Sequence, residues 1–345
     1  MIQVENITKR YGNFTAVDGI SFDIDEGEIV GFLGPNGAGK STTMNMITGF
    51  IEPSDGRIIV DGYDISKKPQ KAKRQIGYMP EGVPLYSDLT VKEFVAYMAD
   101  LKGCEKKTKK EEIKKVLEET GLTEVQNKLT KNLSRGYKQR VSMAGALVGN
   151  PKVIILDEPT VGLDPKQVTE IRTLIKNLGK KHTVILSSHI LSEVSQICNR
   201  VIIINKGKIV AIDTPENLEN KVAQNNVVYV TVEDLENKMD SIKEKLNNIK
   251  DIQFVVENED KTKKYIIKGE RDIDLRKEIF ETLSKEGITI FEMKKADATL
   301  EDAFMKLIND STNSNNTTEE NDQENQNDDK DEKEISEKEN KKEDK

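Results

Sequence analysis

Three glycines, a lysine and a hydroxyl stand in the spacing G-x-x-x-x-G-K-S at Gly34-Pro35-Asn36-Gly37-Ala38-Gly39-Lys40-Ser41. Glycines so spaced let successive backbone N–H groups turn inward around an anion with no side chain in the way. The preceding run Glu28-Ile29-Val30-Gly31-Phe32-Leu33 reads as a buried strand. Thr42-Thr43-Met44-Asn45-Met46-Ile47 reads as a helix, whose positive dipole end points at the same spot. Strand, loop and helix in this order make a phosphate-binding loop, with Lys40 reaching the β- and γ-phosphates of a nucleotide and the Ser41 hydroxyl as a Mg²⁺ ligand. A glycine-rich turn with a chance Lys-Ser carries the same letters; the flanking strand and helix speak against it.

A second group, Val153-Ile154-Ile155-Leu156-Asp157-Glu158, ends an apolar strand in two carboxylates, at the edge where open parallel sheets bind ligands. Successive strand side chains face opposite sides, so Asp157 and Glu158 can differ in role. One can hold Mg²⁺ while the other faces an attacking water as general base. A strand merely ending in exposed acids has the same sequence, and only the phosphate loop weighs against that reading. Leu133-Ser134-Arg135-Gly136-Tyr137-Lys138-Gln139-Arg140 precedes a helical run over 141–148. Ser134 is there either an N-cap alone or the start of a second phosphate-binding helix.

These groups need a scaffold, and the apolar pattern supplies one. Residues 2–4, 14–17 and 20–24 alternate as short strands; 57–62 and 75–79 read as further strands. From Thr90 the period becomes 3.6, with capping boxes at Thr90/Glu93 and Thr108/Glu111, so 84–148 is a mainly helical insertion. A strand over 153–156, a helix over 166–178 and a strand over 183–186 follow, and strands alternating with helices imply an α/β fold with a mostly parallel sheet. From Asn225 the pattern turns to β-α-β-β-α-β, with strands at 227–232, 252–256, 265–267 and 288–291 and helices at 235–246 and 273–283. This is a small ferredoxin-like α+β order. A last helix spans 300–308. After Asp310 only Ile335 is a large aliphatic residue, and a segment so poor in apolar side chains is expected to be a disordered tail.

The chain has 345 residues, enough for two domains with their own cores. Residues 311–345 carry 13 acidic and 6 basic side chains, so nearly all of the net charge of −8 lies in the tail. With no basic excess elsewhere, no nucleic-acid partner is expected. No apolar run is long enough to span a bilayer and the start lacks a signal-peptide form, which predicts a cytosolic protein. Cys104 and Cys198 fit no metal spacing and are expected to be ordinary reduced thiols.

Together these motifs resemble the ATP-binding cassette (ABC) ATPases that power transporters, over residues 1 to about 215 and in the family's order. Residues 34–41 match Walker A, 133–140 the signature, 156–158 Walker B, Val161-Gly162-Leu163-Asp164 the D-loop and Ser188-His189 the switch histidine. The resemblance implies a homodimer, or a paired cassette, that sandwiches ATP. Each ATP lies on one copy's loop, with Thr42 beside it, against Ser134 and Gly136 of the other. It further implies that Tyr11 stacks on adenine, Glu158 polarises water, His189 contacts the γ-phosphate and Asp164 bridges the two sites. Thr214-Pro215-Glu216, the small C-terminal domain and Leu300-Glu301-Asp302-Ala303-Phe304 look like single-cassette drug, antibiotic or sodium exporters.

Two positions depart from the pattern. Arg135 and Tyr137 replace the third and fifth residues of LSGGQ, and Glu81 stands where the Q-loop glutamine is usual. At about 6 Å and an effective dielectric of ~20, a carboxylate repels each unit of phosphate charge by roughly 3 kcal/mol while attracting Mg²⁺. Glu81 must therefore contact the metal, stand back or protonate, and the expectation is that it senses Mg²⁺ and couples to the partner subunit. The expected organisation is an ABC nucleotide-binding domain over 1–218, with its helical subdomain at about 84–148, an accessory domain over 219–309 and an acidic tail over 310–345. The expected function is ATP hydrolysis that energises export through a separate membrane-spanning permease, from the inner face of the cell membrane. The helical insertion, with Pro84-Leu85-Tyr86 just after Glu81, is expected to dock a cytoplasmic helix of that permease. A soluble mechanical ATPase acting on nucleic acid or ribosomes is the alternative. It is disfavoured by the short spacing between loop and signature and by the single cassette.

Overall fold

The computed structural model describes residues 1–82, 85–222, 227–233, 239–246, 248–258, 261–269, 275–295 and 299–311. They fall into two compact units. One comprises 1–189, 202–212 and the described residues from 304 on; the other comprises 190–201 and 213–303.

The chain opens with β1 (Ile2–Tyr11) and β2 (Phe14–Ile24), then β3 (Ile29–Leu33), α1 (Lys40–Ile47), β4 (Asp55–Val60), β5 (Tyr63–Asp64), α2 (Pro69–Arg74) and β6 (Ile76–Met79). Two of the expected short strands are one: Asp18-Gly19 reads as a break but is absorbed between the pairs Ile7↔Ile20 and Lys9↔Val17. One extra residue on β2 makes a bulge there rather than an end. β1, β2, β4 and β5 form an antiparallel sheet of their own, in the order β2-β1-β4-β5, which the expectation of one mostly parallel sheet does not contain.

The helical insertion follows as α3 (Val91–Lys102), α4 (Lys109–Glu119) and α5 (Arg135–Leu147). Thr90 caps α3 with a complete capping box to Glu93. The second box is not formed. Thr108 already has helical backbone (φ −98°, ψ −14°) and makes no side-chain cap bond, and its hydroxyl donates instead to the Glu105 carbonyl. An N-cap needs extended backbone to aim its oxygen at the third N–H, and the turn over 105–108 removes that geometry.

Next come β7 (Val153–Asp157), α6 (Pro165–Gly179), β8 (Thr183–Ser187), α7 (Leu191–Ile197), β9 (Arg200–Asn205) and β10 (Lys208–Asp213). The second sheet runs β10-β9-β3-β8-β7-β6, with β3, β8, β7 and β6 mutually parallel. β3, β7 and β8 are buried along their whole length, as expected for strands covered on both faces. Ile155, Ile185, Phe32 and Val30 join Met44, Met46 and Ile47 of α1 in one core, so the loop between β3 and α1 is clamped at both ends. Parallel strands place their carboxyl ends together, and there lie residues 34–39, Asp157, Ser187 and the turn with Glu81.

The chain continues through α8 (Pro215–Val222), β11 (Val227–Glu233), α9 (Met239–Ile242), β12 (Ile249–Glu257), β13 (Lys263–Gly269), α10 (Arg276–Lys285) and β14 (Thr289–Lys295). The last four-stranded sheet runs β12-β13-β11-β14 and is antiparallel throughout. Val228, Val230, Val232, Met239, Ile242, Ile279 and Leu283 fill its separate core. Of the expected helices, 235–238 and 273–274 lie outside the described residues, as do Val83, Pro84 and the tail from 312. Residues 300–311 are helical, beginning at a reciprocal Thr299/Asp302 pair. Among the described residues no helix is long and apolar enough to cross a membrane.

Candidate functional site

The turn from β3 into α1 requires glycine at Gly39. Its φ is +106°, and a Cβ there would lie 2.7 Å from the Ala16 carbonyl oxygen, so a side chain would meet both strain and a clash. Its carbonyl accepts hydrogen bonds from the N–H and the hydroxyl of Thr43 at 2.9 Å each. Lys40 follows, only 8% exposed, with Nζ donating to the carbonyls of Gly34 at 2.7 Å and Pro35 at 3.2 Å. Burial lowers its pKa, and the charges of Glu158, Asp157 and Glu81 oppose that shift. One ammonium and three carboxylates therefore share a neighbourhood.

A cleft of about 310 Å³ opens over the loop. Asn36, Gly37, Gly39, Lys40, Ser41 and Thr42 form one wall, Glu81, Asp157 and Glu158 another, and Tyr11 with Phe14 the rim. Gly34, Pro35 and Ala38 complete the loop behind it. Tyr11 and Phe14 are register partners at the end of the β1–β2 hairpin and both are exposed.

Asp157, the last residue of β7, is buried and accepts a hydrogen bond from the Ser187 hydroxyl. The same Ser187 oxygen accepts from the Glu158 N–H at 3.0 Å. Glu158 has φ +50°, so the two carboxylates part company at a left-handed kink after the strand. The alternation of strand side chains is not the cause: pairing stops at Asp157, and β-geometry no longer governs the next residue. His189 Nδ1 lies 2.8 Å from Glu158 Oε2. A carboxylate only accepts, so the imidazole donates from Nδ1.

Ser134, Gly136 and Asp164 are not at this cleft. They line a second one of about 400 Å³ with Tyr137, Lys166 and Gln167. Ser134 has the extended backbone of an N-cap (φ −62°, ψ 163°) but no side-chain cap bond, so the helix start leaves its hydroxyl available. Asp164 caps α6, accepting from the Gln167 N–H at 2.9 Å. Sequence reasoning missed Ser187, which no motif announces. It also missed Phe14, which an aromatic three residues beyond Tyr11 across Gly12-Asn13 could have signalled.

A strand–glycine loop–helix with a buried lysine, facing carboxylates at the ends of parallel strands, is the arrangement of a P-loop nucleotide-binding site. The family model "ABC transporter" matches residues 17–161. The linearmycin resistance ATP-binding protein LnrL of Bacillus subtilis is 41% identical over 67% of this chain and 75% of its own length. The bacitracin transport ATP-binding protein BcrA of Bacillus licheniformis is 34% identical over 90% and 98% respectively. The solved dimeric post-hydrolysis state of the cassette MJ0796 bound to ADP and Pi matches with TM-score 0.56 and 28% identity, covering 62% of this chain and 98% of that one. The chain belongs to the ABC transporter family and is an ATP-binding, ATP-hydrolysing transporter subunit.

Proposed function

We propose that this subunit powers export, and that two copies close on ATP so that each site joins one copy's phosphate loop to the other's signature. The observation that carries this reading is the separation of the two clefts: Lys40, Asp157 and Glu158 line one, Ser134, Gly136 and Asp164 the other. A single chain therefore holds two half-sites. Dimeric cassettes among its structural relatives support the pairing, and relatives named for linearmycin resistance and bacitracin transport support export.

In this reading the loop amides and Lys40 take the phosphates, Tyr11 carries the base, and Ser134 and Gly136 meet the phosphates from the partner copy. Asp164 links the two sites. The residues fit Mg²⁺: a hydroxyl at Ser41 and a carboxylate at Asp157 are hard oxygen donors on one cleft, and Ser187 orients that carboxylate. Glu81 lines the same cleft, which supports a role for it in sensing the metal. When bound, Mg²⁺ neutralises phosphate charge. The chain's own contribution is positioning and electrostatic stabilisation. Glu158 is the general base, and His189, now bonded to it, turns to the γ-phosphate.

The helical subdomain docks a membrane-spanning permease at the cytoplasmic face, and exposed Tyr86, packed edge-on against Tyr97 at 5.3 Å, belongs to that surface. Residues 219–309 are assigned to an accessory ferredoxin-like domain; the antiparallel order β12-β13-β11-β14 supports it, although the second compact unit runs over 213–303 and the described residues from 304 on group with the first. The test is Glu158→Gln. It should bind ATP, lose turnover by about a hundredfold or more, and accumulate as an ATP-dependent dimer in sedimentation velocity. Turnover near the wild-type rate would remove Glu158 as base.

A further inference from the structure

Glu158 stands in a left-handed conformation, φ +50°, that a residue with a side chain adopts only where its surroundings hold it. One hold is Ser187 on its N–H. The Glu158 carbonyl accepts from the Val161 N–H at 3.3 Å within the turn, and a further hold comes from α5. Gln139 Nε2 donates to the carbonyl of Pro159, the next residue, at 2.8 Å, and Arg135 Nη1 donates to the Gly162 carbonyl at 3.1 Å. Arg135 and Gln139 are four residues apart and share one face of the helix. Gly162 has φ +72°, and a Cβ there would lie 2.3 Å from Arg135 Nη1, so the loop is shaped to admit the guanidinium. Arg135 is also one of the two residues, with Tyr137, that depart from LSGGQ.

We propose that Arg135 and Gln139 are positioning residues for Glu158 of their own chain. They form a two-bond bridge by which the first turns of α5, whose start carries Ser134 and Gly136, set the aim of the carboxylate at the other cleft. This rests on the reading of Glu158 as base. The bridge pins the loop over 159–162, and with it the strained turn at Glu158. A change in the lie of α5 is thereby passed to the water-facing carboxylate.

The test uses the full chain with Arg135→Ala and Gln139→Ala, and Arg135→Lys, which keeps a donor. Hydrogen exchange in the nucleotide-free protein should quicken for the amides of Glu158 and of 160–164, Pro159 having none, in both alanine variants, with β7 and the body of α5 unchanged. Turnover should fall about tenfold to a hundredfold, as for a catalytic group displaced by about an ångström, while KM for ATP moves less than about twofold. Arg135→Lys should recover part of the rate. In a Glu158→Gln background neither alanine change should lower turnover further or weaken the ATP-dependent dimer. A raised KM with unchanged kcat, or a weakened dimer in that background, would place α5 on the nucleotide instead and overturn the proposal. Unchanged exchange would also overturn it. If Glu158→Gln itself turns over normally, the base reading fails. Quickened exchange at 158–164 would then still report the bridge. Should either alanine variant fail to fold, exchange and turnover in Arg135→Lys decide, because a shortened bridge still loosens 158–164.

Discussion

Ser187 serves the end of the adjacent strand and the residue after it at once, donating to Asp157 and accepting from the N–H of Glu158. Both groups are polar and the Asp157 carboxylate is buried, so removing the hydroxyl strands a charge acceptor and a donor together. Ser187→Ala should lower stability by about 1–3 kcal/mol, seen as a shifted midpoint in urea unfolding, and reduce turnover. An unchanged midpoint would contradict the bridging role. Nothing in the sequence distinguishes Ser187 from any polar residue ending a strand, because its importance arises from parallel register with β7. Gly39, Lys40, Ser41, Asp157 and Glu158 were legible because their chemistry depends on local spacing. Their partners were not, because partners are chosen by the fold.

At the scale of elements, Thr90 and Thr108 are a matched pair. Both precede a charged helix with glutamate three residues on, yet only Thr90 has extended backbone (φ −69°, ψ 161°) and accepts from the Glu93 N–H. Thr90→Ala should cost about 1 kcal/mol, whereas Thr108→Ala should stay within about 0.5 kcal/mol as an ordinary surface change; thermal melts of the two variants make the comparison. The capping motif is a sequence signal whose use depends on the preceding turn, and at residues 105–108 that turn decides against it. The β1–β2 hairpin shows the converse: Asp18-Gly19 reads as a stop, but tertiary pairing carries the strand through it with a bulge. Long periodic helices and fully apolar strands such as β3, β7 and β8 were legible because their burial leaves one solution. The division of strands between two sheets in the first unit was not, since apolar alternation records that a face is covered and not by which neighbour.

At the scale of the whole molecule, the phosphate loop and the signature lie on separate clefts of the same unit, and the proposed pairing brings them together across two copies. Family order in the sequence pointed to that pairing, but the separation itself is visible only in the fold. The direct measurement is cross-linking. In a chain with Cys104 and Cys198 replaced by serine, cysteines are placed at Asn36, exposed within the phosphate loop, and at Ser134, exposed at the start of α5. Mild oxidation with ATP and Mg²⁺ should give a covalent dimer on non-reducing gels, and oxidation without nucleotide should leave monomers. A cross-link within one chain, or a dimer yield indifferent to ATP, would contradict the two-copy site.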